Sequence, residues 1–501
     1  MSNNPYLSKS TFIRGLQCEK SLYLHKMHPE LRGEIDQNQE AIFAQGTTVG
    51  ELAQQLFPGG KDCSFSDFGE INDSIKRTKN YMERGEPIIY EAAFRYENIL
   101  VFADILVQDE EGWKLYEVKS STGVKEVYEK DAALQTYVLN NCGIELADIF
   151  IVHINNQYTR RGALEIDKLF SIASVKERAL ELLEETPNQI ARLRDVLSQG
   201  EIPNVNIGPH CGDPYPCDFR GHCWKNMPEQ SVFNIANLRS KKKWELYDRD
   251  VLSMLDIPDD YHLGSRQRRQ IDGVRNGTSF IDEAQINGFL QSLNYPLYFL
   301  DFETINPAVP LYDESRPYQQ ITFQYSLHIQ MEPGGVCEHR EYLGETDGTD
   351  PRIAFGRQLL VDCGEAGDVI VYNKGFENGK IEDLKALFPE VTASLQTIQS
   401  RIVDLMVPFQ KGWYYTPEMQ GSYSIKYVLP ALVPDESYQG MAIADGGTAS
   451  LYYKAMAEGN FQGDIEKTRQ DLLAYCKLDT WAMVRILEKL NEVLITLNIT
   501  K

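Results

Sequence analysis

Apolar and polar positions divide the chain into five stretches: a helical opening, a strand-rich block, an irregular cysteine loop, a charged helical stretch, and a second strand-and-helix region. Residues 8–24 place Phe12, Leu16, Leu22 and Tyr23 at helical spacing, with Ser8 or Ser10 as a cap. Residues 38–57 continue helically through Phe43, Val49, Leu52, Leu56 and Phe57. Between residues 86 and 121 the period changes, and 87–94, 100–107 and 114–121 are short apolar runs that predict strands. Residues 126–141 predict a helix, 149–154 a buried strand, and 169–197 one long amphipathic helix. Residues 209–224 hold too much Pro and Gly for regular structure. Residues 229–292 are helical and charged, a connector. A fresh apolar strand then opens at 297–303, another at 368–372 turns into a helix, and 472–483 is helical. No internal repeat is visible.

A chain of 501 residues is too long for one ordinary core, which predicts two or three domains with the main boundary between about residues 228 and 290. With 42% hydrophobic and 25% charged residues the composition is globular. No run of 18 apolar residues predicts a membrane span, and the opening residues lack an apolar signal segment, so a cytoplasmic location is expected. The net charge of −23 argues against avid, non-specific binding of duplex nucleic acid. Basic groups gather locally at Arg239, Lys241, Lys242 and Lys243, and again at Arg266, Arg268 and Arg269. Each group is either a solvated helix face or a track for a phosphate backbone. No GxxxxGK[ST] pattern is present, so ATP-driven unwinding is not encoded.

Candidate chemistry begins in the strand block. Glu117 and Lys119 are two apart on one predicted strand and project to the same face. Asp104 lies inside the apolar run of the strand before it, where an acid is costly to bury unless something pairs with it. The following helix supplies Gln135 and Tyr137. In this order and spacing, Asp104, Glu117-x-Lys119, Gln135 and Tyr137 resemble the PD-(D/E)XK nuclease core of the RecB type. The resemblance implies a mixed sheet flanked by helices and phosphodiester hydrolysis with Mg²⁺ or Mn²⁺. It also implies Asp104 and Glu117 as metal ligands, Lys119 as a catalytic aid, and Gln135 and Tyr137 as orienting groups. Glu51 and Glu91 match the family's earlier acidic positions. Taken alone, Glu-x-Lys is an ion pair on a strand face.

Nine cysteines in a reducing compartment do not predict disulfides. Three of them, Cys211, Cys217 and Cys223, are evenly spaced on the irregular loop, and Cys18 stands far upstream. One early and three late cysteines around a RecB-like core resemble the iron–sulfur nucleases, which implies a [4Fe–4S] cluster on these four thiolates. The spacing departs from those families, in which the second and third cysteines are commonly closer. The rival is zinc on the same loop, with Cys18 or a histidine, His210 or His222, as the fourth ligand.

The second region carries another acidic set. Asp301 and Glu303 share a strand face, Asn373 and Glu377 follow the next strand, and Tyr475 and Asp479 are four apart on a helix. In this order they resemble the RNase H-like DEDD exonucleases of the subclass with a tyrosine. The resemblance implies Asp301, Glu303, Glu377 and Asp479 as metal ligands and Tyr475 as the group that orients water. The third acid departs from the family, which has aspartate where this chain has Glu377. Asp404 is either an accessory acid or a turn residue, the latter preferred, and the resemblance leaves the stretch 423–427 as a candidate to lie near the substrate, with no role assigned.

The fold class expected is therefore α/β in two domains: residues 1–228 a PD-(D/E)XK restriction-endonuclease-like mixed sheet, and residues 293–501 an RNase H-like mixed sheet with flanking helices. The combination resembles a bacterial family that fuses the two. Single-stranded DNA is the expected substrate, because stacking on aromatic rings tolerates any base. The alternatives are an RNA-processing exonuclease, or a nucleic-acid-binding protein with one inactive domain.

Overall fold

A computed structural model describes residues 6–499. The chain divides into two compact units. The first runs to Asn226 and includes Pro307–Tyr318; the second comprises Met227–Asn306 and the chain from Gln319 onward. Residues 229–292, expected as a connector, thus belong to the second unit. Among the described residues no helix is long and apolar enough to cross a membrane.

The first unit opens with β1 (Leu7–Ser8), α1 (Lys9–Gln17), α2 (Glu19–Met27), α3 (Gln37–Gln54), β2 (Lys61–Asp62) and α4 (Ile71–Glu83). The opening helix is in fact two, broken at Cys18, whose extended backbone starts α2. Ser8 caps α1 by accepting from the Thr11 amide. Next come β3 (Ile88–Tyr96), β4 (Ile99–Asp109) and β5 (Gly112–Lys119), then α5 (Glu126–Asn141) and β6 (Leu146–Ile154). The unit continues through α6 (Ile166–Leu169), β7 (Phe170–Ser174), α7 (Lys176–Leu183), α8 (Thr186–Ser198) and the short α9 (Arg220–Cys223).

These strands form a seven-stranded sheet in the order β2-β3-β4-β5-β6-β7. The strands β3, β4 and β5 are an antiparallel meander, α5 crosses over, and β6 lies parallel to β5. β1 pairs parallel to β4 at Ile99 and Leu100, beyond the stretch that β5 covers. The single helix expected over 169–197 is a strand and two helices. The alternation in Phe170-Ser-Ile-Ala-Ser suits a strand, and its pairing with β6 outweighs helical periodicity. Pro187 starts α8, where its missing amide hydrogen costs nothing.

The second unit begins with α10 (Ser240–Tyr247), α11 (Ser265–Asn276), β8 (Phe280–Ile281) and α12 (Glu283–Gln291). Val232, Ile235, Leu246, Met254 and Ile271 give this segment a core cluster of its own. Then follow β9 (Leu297–Ile305), β10 (Ile321–Gln330), β11 (Cys337–Leu343), α13 (Arg352–Asp362), β12 (Asp368–Val371), α14 (Lys374–Leu387), α15 (Thr392–Ser400) and β13 (Ile402–Asp404). The chain ends through α16 (Val407–Gln410), β14 (Tyr414–Tyr415), α17 (Ile425–Leu432), α18 (Gly446–Ala457) and the long α19 (Ile465–Ile499).

The main sheet of this unit has the order β11-β10-β9-β12-β13. β10 is antiparallel to both β9 and β11, whereas β12 runs parallel to β9 and β13. Strand β9 is apolar on both faces as far as Leu300, as a central strand must be. Phe355 of α13 is wholly buried against the sheet, edge-on to Phe302 and Tyr325 with ring centroids 5.2 Å away in each case. Truncating such a ring loses both its transfer free energy and its packing. Phe355→Ala is expected to destabilise this unit by about 3–5 kcal/mol, read from the denaturant midpoint. A loss below about 1 kcal/mol would show that the site collapses around the gap.

Candidate functional site

The first acidic group is assembled by strand register. The pairs on either side, Tyr90 with Ile105 and Ala92 with Ala103, set Glu91 opposite Asp104. The ladder of β4 and β5 pairs Ile105 with Tyr116 and stops just before Asp104 and Glu117. Three carboxyl groups thus stand at one level of three neighbouring strands. Glu91 holds a left-handed φ of 52° inside β3, a conformation that side-chain-bearing residues adopt only under constraint.

Two ammonium groups neutralise this group. Lys119 Nζ lies 2.6 Å from Glu117 Oε1 and 2.8 Å from Asp131 Oδ2. Lys9 Nζ lies 2.8 and 2.9 Å from the two oxygens of Glu117 and 3.7 Å from Asp104 Oδ1, and it also donates to the Phe102 carbonyl at 3.0 Å. Gln135 Nε2 donates to Glu117 Oε2 at 2.8 Å, and the Val118 amide donates to Asp104 Oδ2 at 2.7 Å. Burial alone pushes Glu117 upward, but Lys119 and Lys9 outweigh it and hold the carboxyl well below its usual range. Asp104 is pushed up to about 6 by burial and by Glu117, and Glu91 to about 8 by burial and by Asp104.

The structure therefore brings together Asp104, Glu117, Lys119 and Gln135. Tyr137 is not part of the group and packs on Tyr96, 5.9 Å between centroids. Positions two apart on a helix point to different sides, so Gln135 and Tyr137 cannot serve one site. Glu51 is exposed on α3. Lys9 and Asp131 were missed. Asp131 stands one turn before Gln135, and that i, i+4 spacing was the signal that marks it. Lys9 sits 108 residues before Glu117 and carries no such signal. Asp131 Oδ1 and Gln135 Oε1 are buried without hydrogen-bond partners, so the donor set retains unmet acceptors that a cation would satisfy.

The four predicted cysteines meet. Cys18, Cys211, Cys217 and Cys223 line one small pocket, together with Ser21 and His210. Burial pushes the thiols of Cys18 and Cys223 up, and the neighbouring Cys211 and Cys217 add to the rise. Polar contacts hold the loop against α1. Arg14 forms two hydrogen bonds to Asp218, at 2.6 and 3.1 Å, and Gln17 Nε2 donates to the carbonyls of His210 and Tyr215 at 2.7 Å. Among the described residues no three of these sulfurs lie mutually within 4.8 Å.

Asp301, Glu303 and Asp479 do meet that limit, each offering an oxygen within 4.8 Å of the others. β9 presents the first two, and α19 packs across the sheet to bring the third. Burial pushes Asp301 and Glu303 well above the usual carboxyl range, and neighbouring acids add to it. Asp479 is pushed up to about 6 by burial, against the pull of Tyr438, Lys426 and Tyr475. Tyr438 Oη donates to Asp479 Oδ1 at 2.6 Å. Tyr475 is buried, its ring 6.3 Å from that of Tyr438. Lys426 Nζ lies 5.6 and 5.8 Å from the centres of those two rings. At Gly446 the α18 N-terminus approaches closely, so that a Cβ there would sit 3.2 Å from Glu303 Oε2.

Glu377 is buried at 1% exposure on the first turn of α14, and its Oε2 has no hydrogen-bond partner. Burial and the adjacent Asp301 push it well up. It stands beside the three-acid set without completing it. Asp404 accepts from the amides of Asn373, Lys374 and Met406 at 3.2, 3.0 and 2.9 Å, which is a structural task at the start of α14. Tyr438 is a partner of the acid set that patterning misses, because its loop has no period.

Residues 298–424 match the family model of a domain of unknown function, DUF2779. The chain is 25% identical over 238 residues to the uncharacterized protein UU173 of Ureaplasma parvum serovar 3, across 42% of this chain and 33% of that protein. It is 26% identical over 215 residues to the uncharacterized MG366 homolog of Mycoplasma pneumoniae, across 39% of this chain and 32% of that protein. The matched stretch spans about a third of the length of each of these relatives.

The raised carboxyls give a pH dependence. In the folded, metal-free unit, Asp301, Glu303 and Asp479 keep protons that the unfolded chain has released above its carboxyl range. The folded state binds more protons, so stability falls as pH rises from about 4 through 6 and beyond. The melting temperature of metal-free protein is expected to drop from pH 5 to pH 8, and Mn²⁺ is expected to restore it at pH 8. Asp479→Asn should flatten the pH response and weaken the Mn²⁺ shift. A flat profile in the wild-type protein would refute this account of the site.

Proposed function

We propose that the protein is a metal-dependent nuclease that hydrolyses phosphodiester bonds in single-stranded nucleic acid at two separate centres. The observation that carries the reading is the convergence of Asp301, Glu303 and Asp479 from β9 and α19 into one buried set. Three withdrawn carboxyls with raised affinity for positive charge are a site built for a hard cation. The central β9, with β10 antiparallel and β12 parallel to it, supports an RNase H-like arrangement of this unit. The order of β3, β4, β5, α5 and β6 supports a PD-(D/E)XK arrangement of the first.

Asp301, Glu303 and Asp479 would hold the cation, with Glu377 adjacent and its unmet Oε2 available to it. A bound Mg²⁺ or Mn²⁺ supplies Lewis acidity toward a phosphoryl oxygen and a more acidic water. Tyr475 stays protonated, because burial and the surrounding carboxyls push its hydroxyl far up, and it offers a hydrogen bond to a water or a phosphate oxygen. Tyr438 holds Asp479 in place. In the first unit Glu117 and Asp104 would be ligands, and Lys119 would balance charge developing on the phosphate. Cys18, Cys211, Cys217 and Cys223 would hold an iron–sulfur cluster. Their meeting in one pocket supports a shared inorganic group, which we read as a [4Fe–4S] cluster with one tetrahedral zinc as the rival.

A second reading has one centre only. Lys9 already occupies the cation's place between Glu117 and Asp104, which favours a first unit that binds nucleic acid without cutting it.

Cleavage of labelled single-stranded DNA and RNA with Mg²⁺ or Mn²⁺ separates these readings. Lys119→Ala and Asp301→Ala are each expected to lower one activity by at least about 10²-fold and to spare the other. Activity that survives the double substitution would defeat the two-centre reading. Protein purified without oxygen is expected to be brown, with stoichiometric iron and sulfide, and Cys217→Ser is expected to bleach it. A colourless wild-type protein carrying zinc would overturn the cluster.

A further inference from the structure

A second, small pocket lies in the second unit, and it belongs to none of the groups above. Arg266, Arg269 and Gln270 from α11 line it, with Tyr415 of β14 and Gly421 opposite. The two arginines are one helical turn apart and present their guanidinium groups to the same side. Each is held by one carbonyl and one ring. Arg266 donates to the Gln410 carbonyl, and its guanidinium lies 4.8 Å from the centre of the Tyr423 ring. Arg269 donates to the Gly412 carbonyl at 3.2 Å and lies 3.8 Å over Phe280.

Among the described residues neither arginine forms an ion pair, whereas Arg275 on the same helix pairs with Asp259 at 3.2 Å. A guanidinium carries five N–H groups, and each arginine, being partly exposed, keeps donors that face solvent and are open to a ligand. Tyr415 lines the same cavity, and its hydroxyl is buried without a hydrogen-bond partner. Gln270 is already satisfied: its side chain accepts from the Ala236 amide at 2.8 Å and donates to the Asn234 carbonyl at 2.9 Å. Gly421 admits no side chain, since a Cβ would come within 2.2 Å of Gln270 Nε2. Two planar cations with fixed orientation, and one unmet hydroxyl, are the chemistry that recognises a phosphate.

We propose that Arg266, Arg269 and Tyr415 bind a backbone phosphate of the single-stranded substrate, outside the hydrolytic centre. The inference rests on the nuclease reading above and deepens it. The chain connects the two places. Ser422 lines the cavity, Tyr423 stacks under Arg266, and Lys426, three residues on, stands over Tyr438 and Tyr475 beside the acid set. A strand whose terminal phosphodiester lies at the acids would then leave a neighbouring phosphate for the arginines. A chain of net charge −23 would thus meet a phosphate through a local pair of arginines that form no ion pair, although other cations such as Arg275 do.

The test is equilibrium binding of a fluorescent single-stranded DNA oligonucleotide in EDTA, by anisotropy across a salt series. The full-length protein is compared with Arg266→Met/Arg269→Met, Arg266→Lys/Arg269→Lys and Tyr415→Phe. The methionine pair should weaken binding and lower the slope of log K against log salt by about 0.7, the value for one lost phosphate contact on a single strand. The lysine pair should keep the slope, and Tyr415→Phe should weaken binding with the slope unchanged. Should the methionine pair fail to fold, the lysine pair and Tyr415→Phe decide by affinity alone. Calorimetry with inorganic phosphate and with a mononucleotide forms the second arm. Loss of mononucleotide binding with oligonucleotide binding intact would assign the pocket to a free phosphate ligand and overturn the backbone assignment. Wild-type binding that all three variants retain unchanged would overturn the pocket while leaving the nuclease reading standing. No binding of DNA or RNA by the wild-type protein would overturn both.

Discussion

A carboxyl group removed from water must find a cation, a set of hydrogen-bond donors, or a proton. This constraint shapes both acidic groups, and the two meet it differently. In the first unit Lys9 and Lys119 stand among Glu91, Asp104, Glu117 and Asp131, and Glu117 stays ionised between the two ammoniums. In the second unit Lys426 acts on Glu303 and Asp479, and burial raises Asp301, Glu303, Glu377 and Asp479, so that each gives up its proton later than a free carboxyl. The first group is balanced from within by two ammoniums, whereas burial raises the proton affinity of every acid in the second. That difference makes the second group the stronger candidate for an external ion.

The surrounding architecture serves these groups. In the first unit a meander of three strands sets acids at one level, and the crossover helix α5 lays Asp131 and Gln135 along the open side. The parallel pairing of β1 to β4 delivers Lys9 into the same place from the start of the chain. In the second unit the central β9 carries Asp301 and Glu303, and the long α19 carries Tyr475 and Asp479 on successive turns. The cysteine loop is fastened to α1 by Arg14, which bonds Asp218, and by Gln17, which bonds the His210 and Tyr215 carbonyls.

Much of this was legible because the signals were local. A spacing of two on a strand placed Glu117 with Lys119 and Asp301 with Glu303, and a spacing of four on a helix placed Tyr475 with Asp479. The same rule, applied to Gln135 and Tyr137, would have separated them. The strand at Phe170–Ser174 escaped notice because its partner β6 supplies the reason to be extended, and five residues of alternation do not stand out beside a long helical pattern. Residues 229–292 looked like a connector because their apolar residues are sparse, yet Val232, Leu246 and Ile271 gather into a small core once the segment is folded.

By itself, then, the sequence determined which residue types stand on which local faces, where strands and helices alternate, and that two acidic sets and one cysteine set exist. Periodicity carries that information, because it depends only on near neighbours along the chain. Tertiary structure alone decided that Lys9 reaches Glu117 across 108 residues, that Tyr438 secures Asp479, and that Arg266 and Arg269 share a cavity with an unmet hydroxyl. Such contacts join chain segments whose separation has no period, and only the packing of the sheets and helices brings them within reach of a hydrogen bond.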